Sequence, residues 1–218
     1  MLLSNEGGKF MKIAVIAASG RSGKIFVEHA LAAGHEVRAG VFHNNNLSPQ
    51  ERLSIVTCDA TNTNDLAKLI SGQDAVVSFI GHVKGSPPHV QADAMRAIAE
   101  VMQAQHVTRL VSLTGTGVRF PGDHITLVDR ILNISIQLID PDRVQDGKDH
   151  VEVLKQSSLD WTVLRVLKLQ NTEPKPFSLR EHGPTKWYVS REEVADAALQ
   201  VLEQNSFIRQ APILGKPN

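Results

Sequence analysis

The sequence predicts an α/β domain built as a doubly wound parallel sheet. Three observations carry this: short apolar runs of buried-strand type alternate with helical periods, the first run leads straight into a glycine turn, and 218 residues suit one domain. Ile13–Ala17 is uninterrupted and β-branched, the pattern of a strand covered on both faces. After Ser19-Gly-Arg-Ser-Gly23, Val27, Ala30 and Leu31 fall at helical spacing, and Gly34 closes that helix as a left-handed C-cap. Strands follow at Glu36–Val41 and Ser54–Thr57, then a helix over Asn64–Ile70 and a strand over Ala75–Phe79. The next helix opens with Ser86 as N-cap and Pro87 in its first turn, and carries Val90, Ala94, Ala97, Ile98 and Val101 on one face. Leu110–Leu113 is the fifth strand, and the crossovers are expected to be right-handed. Asp140 caps a helix with Pro141 just inside it that runs towards Ser157, and Asp160–Val166 is the sixth strand. Residues 168–189, with Pro174, Pro176, Gly183 and Pro184, read as a long loop. Ser190-Arg-Glu-Glu193 is a capping box opening a last helix through Val194, Ala197, Ala198 and Val201. No repeat or linker divides the chain.

Composition narrows the function. Lys plus Arg and Asp plus Glu are both 23, so the broad basic surface that grips nucleic acid is not expected. One cysteine, Cys58, allows neither an intrachain disulfide nor a Cys-based zinc site, which suits a reducing compartment, and a cytoplasmic location is expected. The longest clean apolar run, Ile13–Ala18, is far below the roughly 20 residues of a membrane helix, so no membrane partner is expected either. Met1–Phe10 lacks the basic start and apolar stretch of a signal peptide and reads as a flexible tail, with Met11 as an alternative start.

The most informative residues are Ala17-Ala18-Ser19-Gly20-Arg21-Ser22-Gly23, read against G-x-x-G-x-x-G. A strand, a glycine turn and a helix N-terminus aim backbone N–H groups and a positive dipole end at one point, which favours a pyrophosphate. Gly20 lets backbone approach the phosphates and Gly23 lets the helix meet the sheet, while Ala17 replaces the first glycine and calls for a negative φ. A plain tight turn is the alternative. A P-loop fits badly, because Ala18 stands where its first glycine belongs and Ile25 where the magnesium-binding hydroxyl belongs. After the second strand, Val41-Phe42-His43-Asn-Asn-Asn46 holds no carboxylate to bond a ribose 2′-hydroxyl. With Arg21 and His43 nearby, NADP(H) is expected over NAD(H), unless Arg21 only points into solvent.

Ala17–Gly23, Cys58-Asp59-Ala60-Thr61, Ser78-Phe79-Ile80-Gly81, Leu110-Val-Ser112-Leu-Thr114, Ser157–Arg165 and Ser190–Asp196 together resemble the atypical short-chain dehydrogenase/reductases, in the NAD(P)H-binding group of biliverdin reductase B-like and NmrA-like proteins, over Lys12 to Leu214. The resemblance implies a Rossmann-like domain over residues 11–218, with the substrate pocket formed by C-terminal segments. It implies that Ala18–Gly23 wrap the pyrophosphate, Asp59 and Ala60 flank the adenine, and Phe79–Gly81 line the ribose. It also implies that Ser112 and Thr114 face the nicotinamide and that backbone near Val166 holds its carboxamide. Two departures stand out: the Tyr-x-x-x-Lys pair has no counterpart, the only tyrosine being Tyr188 in the late loop, and Arg165-Val166 stands where relatives often carry Arg-Pro.

For catalysis the candidates are Ser112 and, replacing the tyrosine, His150. An imidazole titrates near neutrality and can donate to a substrate oxygen. Lys155 lies about 140° round the helix from His150, so the two cannot share one site. A solvated helix histidine, and for Ser112 and Thr114 simple strand-end hydrogen bonding, are the plain alternatives. No histidine spacing suits a metal; Asp146, Asp149 and His150 read as a polar helix start, and no Gly-x-Ser-x-Gly elbow is present. Two functions fit: an NADPH-dependent reductase passing hydride to a flavin, quinone or similar conjugated small-molecule acceptor, or a non-catalytic NADP(H) redox sensor. The acceptor, the oligomeric state and the conformations of 118–139 and 169–189 do not follow from the sequence.

Overall fold

A computed structural model describes residues 10–217 except 84 and 125. The expected tail therefore lies outside the described residues apart from Phe10. The first half alternates except where β2 leads to β3 without a helix: β1 (Lys12–Ile16), α1 (Arg21–Ala32), β2 (Glu36–Val41), β3 (Leu53–Thr57), α2 (Thr63–Ile70), β4 (Ala75–Ser78), α3 (Val90–Ala104) and β5 (Arg109–Gly115). Next come α4 (Leu127–Ile139), α5 (Pro141–Gln156), β6 (Asp160–Val166), β7 (Leu169–Gln170), β8 (Ser178–Arg180), β9 (Val189–Ser190), α6 (Arg191–Glu203) and β10 (Ile213–Gly215).

One eight-stranded sheet has the order β3-β2-β1-β4-β5-β6-β10-β8, and only β8 runs antiparallel to its neighbour. Ile13 aligns with Val37 on one side and Ala75 on the other, and Ser78 aligns with Ser112. The two-residue period of a strand divides the core between the faces. Ile13 and Val15 join Phe26 and Val27 of α1 and Val194 and Val201 of α6; Ala14 and Ile16 join Leu66 of α2, Ile98 and Met102 of α3 and Leu154 of α5. Because the chain winds outward from β1 to β3 and then returns to place β4 beside β1, the winding reverses there, and such a switch point opens a crevice at the C-terminal ends of the strands.

Local signals account for most boundaries. Gly34 has φ +97°, and the N–H groups of Gly34 and His35 reach Leu31 and Ala30, the left-handed stop expected of it. Asp140 Oδ1 accepts from the Arg143 N–H at 3.2 Å, as anticipated for α5. Three expectations fail. The third helix begins at Val90 rather than at Ser86, since the Ser86 hydroxyl accepts from Val83 N–H while the Asp146 carboxylate reaches across from α5 to take the Gln91 and Ala92 N–H groups, each at 2.8 Å. Asp146 is thus the cap of another helix and not part of a polar helix start. The capping box of α6 is half built: Ser190 Oγ accepts from Glu193 N–H, but the Glu193 carboxylate binds Lys186 Nζ at 2.6 Å and Lys175 N–H at 2.9 Å instead. The late segment read as loop holds β7, β8 and β9.

Candidate cofactor-binding site

All the strand-end segments singled out in the sequence lie at the C-terminal edge of the parallel strands. At the centre is the turn from β1 to α1. Ala18 N–H donates to Gly40 O and Gly20 N–H to Ala17 O, both at 3.0 Å, so the turn is tied to β2 and folded on itself. A Cβ at Gly23 would sit 2.3 Å from Ala17 O, which no side chain tolerates, so glycine is what allows α1 to start this close to the strand. A Cβ at Gly20 would meet Ala17 O at 3.1 Å, a tight contact, with φ at an ordinary −69°. Ala17 is the correction: its φ is +59°, left-handed, where a negative value was expected. That conformation costs an alanine roughly 1–2 kcal/mol, borne here because the turn needs the glycine geometry even without the glycine.

The N-terminus of α1 fits an anion. The N–H groups of Arg21, Ser22 and Gly23 have no intrahelical acceptor, no side chain caps them, and the first turn carries no acid. Among the described residues the other five helices are all capped by side chains: α2, α4, α5 and α6 by their own Asn62, Thr126, Asp140 and Ser190, and α3 by Asp146. Arg21 is exposed at this point, and Asn46 Nδ2 donates to Ser19 O at 3.2 Å, drawing the segment after β2 onto the turn. A second cation, missed in the sequence, stands behind Arg21: Arg191, nearly buried at the start of α6, has its pKa lowered by burial and then by the Arg21 charge. The motif around it signalled only a helix cap.

Around the turn, Phe42 and His43 are exposed with their rings 3.7 Å apart, and Asp59 and Ala60 are half-buried, Asp59 accepting from the N–H and hydroxyl of Thr61. Cys58 beside them is buried, and burial followed by the charges of Asp65 and Asp59 pushes its thiol up to about 12. Phe79 leans on Phe26 of α1 at 5.5 Å, Ile80 is half-buried with its carbonyl accepting from Gln91 Nε2, and Gly81 is exposed. Val166 is buried at the end of β6, its carbonyl accepting from Thr116 N–H at 3.0 Å.

Ser112, Thr114 and His150 do come together, under cover of α5. Ser112 Oγ and His150 Nε2 are 3.0 Å apart, and a Cβ at Gly147, one turn earlier, would fall 2.9 Å from Thr114 Oγ1. His150 is no solvated helix histidine; it is 2% exposed, and burial lowers its pKa to about 4 against a smaller upward pull from Asp146. The expected titration near neutrality is therefore wrong: desolvation keeps this imidazole neutral. Its Nδ1 is buried without a partner among the described residues. Lys155 turns away, as its helical position required, with Nζ 5.0 Å from the Phe120 ring. Arg165 is wholly buried and grips Asp123 through Nη1 and Nη2 at 2.5 and 2.9 Å, so it fastens β6 to the segment after β5. Among the described residues no helix is long and apolar enough to cross a membrane.

This geometry agrees with a family model described as NAD(P)H-binding, which matches residues 17–205. The chain belongs to that NAD(P)H-binding family. It is 30% identical over 156 residues to the uncharacterized protein YwnB of Bacillus subtilis (strain 168), covering 71% of this chain and 70% of that protein. A short-chain dehydrogenase/reductase from Veillonella parvula DSM 2008 in complex with NADP superposes with TM-score 0.81 at 18% identity over 96% of both chains. A candidate NADH-flavin reductase from Streptococcus pneumoniae TIGR4 does so with TM-score 0.75 at 22% identity, over 95% of this chain and 100% of that one. These two likenesses bear on the fold alone, and membership of the NAD(P)H-binding family supports a nicotinamide cofactor.

Proposed function

We propose that the protein is an NADPH-dependent reductase that passes hydride to a flavin, quinone or similar conjugated acceptor. The observation that carries this is the uncapped, acid-free N-terminus of α1 set under Gly20 and Gly23. Its three free N–H groups receive the pyrophosphate, with Ala18–Gly23 around it, and Arg21 meets the 2′-phosphate beside Phe42 and His43. Asp59 and Ala60 flank the adenine, Phe79–Gly81 line the ribose, and the backbone near Val166 takes the carboxamide. When bound, the cofactor supplies the hydride. Ser112 and Thr114 border its nicotinamide, and neutral His150 orients Ser112 from behind instead of delivering a proton of its own. Electrophilic acceptors tolerate that, which is why a conjugated ring system suits this site better than a plain carbonyl. The C-terminal segments close the pocket, and the single cysteine fits a cytoplasmic setting.

Calorimetric titration with NADPH and NADH, followed by an NADPH-oxidation screen, tests the reading. A charge-assisted contact is worth about 1.5–3 kcal/mol, so Arg21→Ala should weaken NADPH roughly 10–150-fold and leave NADH nearly unchanged; equal losses reject the 2′-phosphate role. His150→Ala should lower turnover with a quinone by less than about tenfold, because a true general acid contributes about 10²–10⁴-fold. Binding without consumption of NADPH by any acceptor assigns the protein to the redox sensors instead.

A further inference from the structure

Helix α4 turns most of its apolar side chains outward. An amphipathic helix on a globular protein turns its apolar stripe to the core, yet Leu127, Val128, Ile131, Ile134, Leu138 and Ile139 of α4 are 40–80% exposed. The side facing the body is mixed, with half-buried Leu132 and Ile136 beside Asp129 and Asn133. Its one buried residue, Asp129, binds Arg119 Nη2 at 2.6 Å and Thr185 Oγ1 at 3.0 Å, and also takes a hydrogen bond from Asn133. The helix is therefore anchored by a buried carboxylate while its apolar surface is left in water. A contiguous exposed apolar stripe of this kind marks a surface that another apolar surface covers.

We infer that α4 is the contact helix of a homodimer, lying antiparallel against α4 of a second copy. The stripe Leu127, Ile131, Ile134, Leu138 has the spacing 4-3-4 of a helix–helix seam, and it reads the same in both directions. Antiparallel pairing sets Leu127 against the second copy's Leu138, and Ile131 against its Ile134. Val128 then meets Gln137, and the flanking Arg130 meets Ser135, so no like charges oppose one another. Such self-complementarity is what a two-fold axis demands. In size, six large exposed apolar side chains exceed a scattered surface and approach the roughly 800 Å² that each partner gives to a standard interface. A lipid surface fits less well, because helices lying on membranes carry rows of cations on their polar face; Arg130 is the one Lys or Arg on α4, and the polar face is occupied by the protein's own Asp129 network.

Sedimentation at micromolar chain concentration should find wild type as a dimer. Ile131→Glu/Ile134→Glu brings four carboxylates together at the centre and should raise the dimer dissociation constant at least about a hundredfold, with the circular dichroism spectrum and NADPH affinity unchanged. Leu138→Glu, at the most exposed position of the stripe, should weaken the dimer in the same direction without touching the Asp129 network. A monomeric wild type overturns the inference, as does a dimer that survives both variants. Binding of monomeric wild type to phosphatidylcholine/phosphatidylglycerol vesicles, lost in the double variant, would overturn it in favour of a lipid surface.

Discussion

Gly20 and Gly23 are three positions apart and do different jobs, which mutation can separate. At Gly23 the obstacle to a side chain is the protein's own backbone, 2.3 Å from where the Cβ would stand, so even Gly23→Ala must push α1 off β1 and lower the melting temperature. At Gly20 the nearest backbone oxygen is 3.1 Å away, and the space a branched side chain would take is the space of the phosphates. Gly20→Val should therefore abolish NADPH binding in a titration while costing far less stability than Gly23→Ala; undiminished affinity would move the site elsewhere. His150 makes a prediction about acid. Its proton is held only near pH 4 in the folded chain, against 6.5 in the unfolded one, so between those values the unfolded chain binds more protons and stability falls as the pH is lowered. About two and a half units correspond to roughly 3 kcal/mol. Urea unfolding at pH 6.5 and pH 4 should show that loss in wild type, and His150→Gln should flatten it.

Between elements, much of the architecture is set by single polar side chains that bridge distant segments. Asp146 on α5 starts α3, and Arg165 on β6 holds the segment after β5 through Asp123 and Val118 O and the late loop through Glu181 O. Burial works against ionisation of Asp123, but hydrogen bonds from Arg165 and Phe120 N–H, with the charges of Arg165 and Arg119, outweigh it and hold its carboxyl below the ordinary value. Both side chains of the pair are almost fully buried. Removing one partner of such a pair leaves the other charged and unmatched, so Asp123→Asn should cost about 3–5 kcal/mol in chemical denaturation. Because the folded pKa is depressed, the stabilisation is present above the unfolded pKa and disappears as pH falls through the folded one. Wild type and Asp123→Asn should accordingly converge in stability at low pH.

Across the whole molecule, what could be read in advance was whatever is encoded locally. The strands β1, β4, β5 and β6 announce themselves because a strand covered on both faces is a short apolar run, and α1, α2 and α5 because caps and periods lie within a few residues. β10 has three residues and meets β6 through the single pair Ile213 and Arg165, too little for any pattern. The start of α3 is hidden from the sequence because its cap comes from α5, and the placement of α4 because most of its apolar side chains face outward, so its period points to a core that is not there. The glycine turn was legible, but the conformation of Ala17 was not, since an alanine in place of glycine argues for the opposite sign of φ. Arg191 and the pairing of Ser112 with His150 depend on α6 and α5 crossing the sheet, information that no spacing carries.

Cys58 sits one residue from the proposed adenine pocket, with its thiol pushed up to about 12. Oxidants and alkylating agents react with the thiolate, and at neutral pH this thiol stays protonated. Reduced flavins and quinols released into air generate peroxide, the reagent that drives cysteine up its oxidation ladder. If the proposed reductase releases such products, peroxide formed in solution would reach its only sulfhydryl, and a good nucleophile one residue from the adenine pocket would be oxidised. Burial against α2, with the charges of Asp65 and Asp59 nearby, keeps this thiol protonated and slow to react.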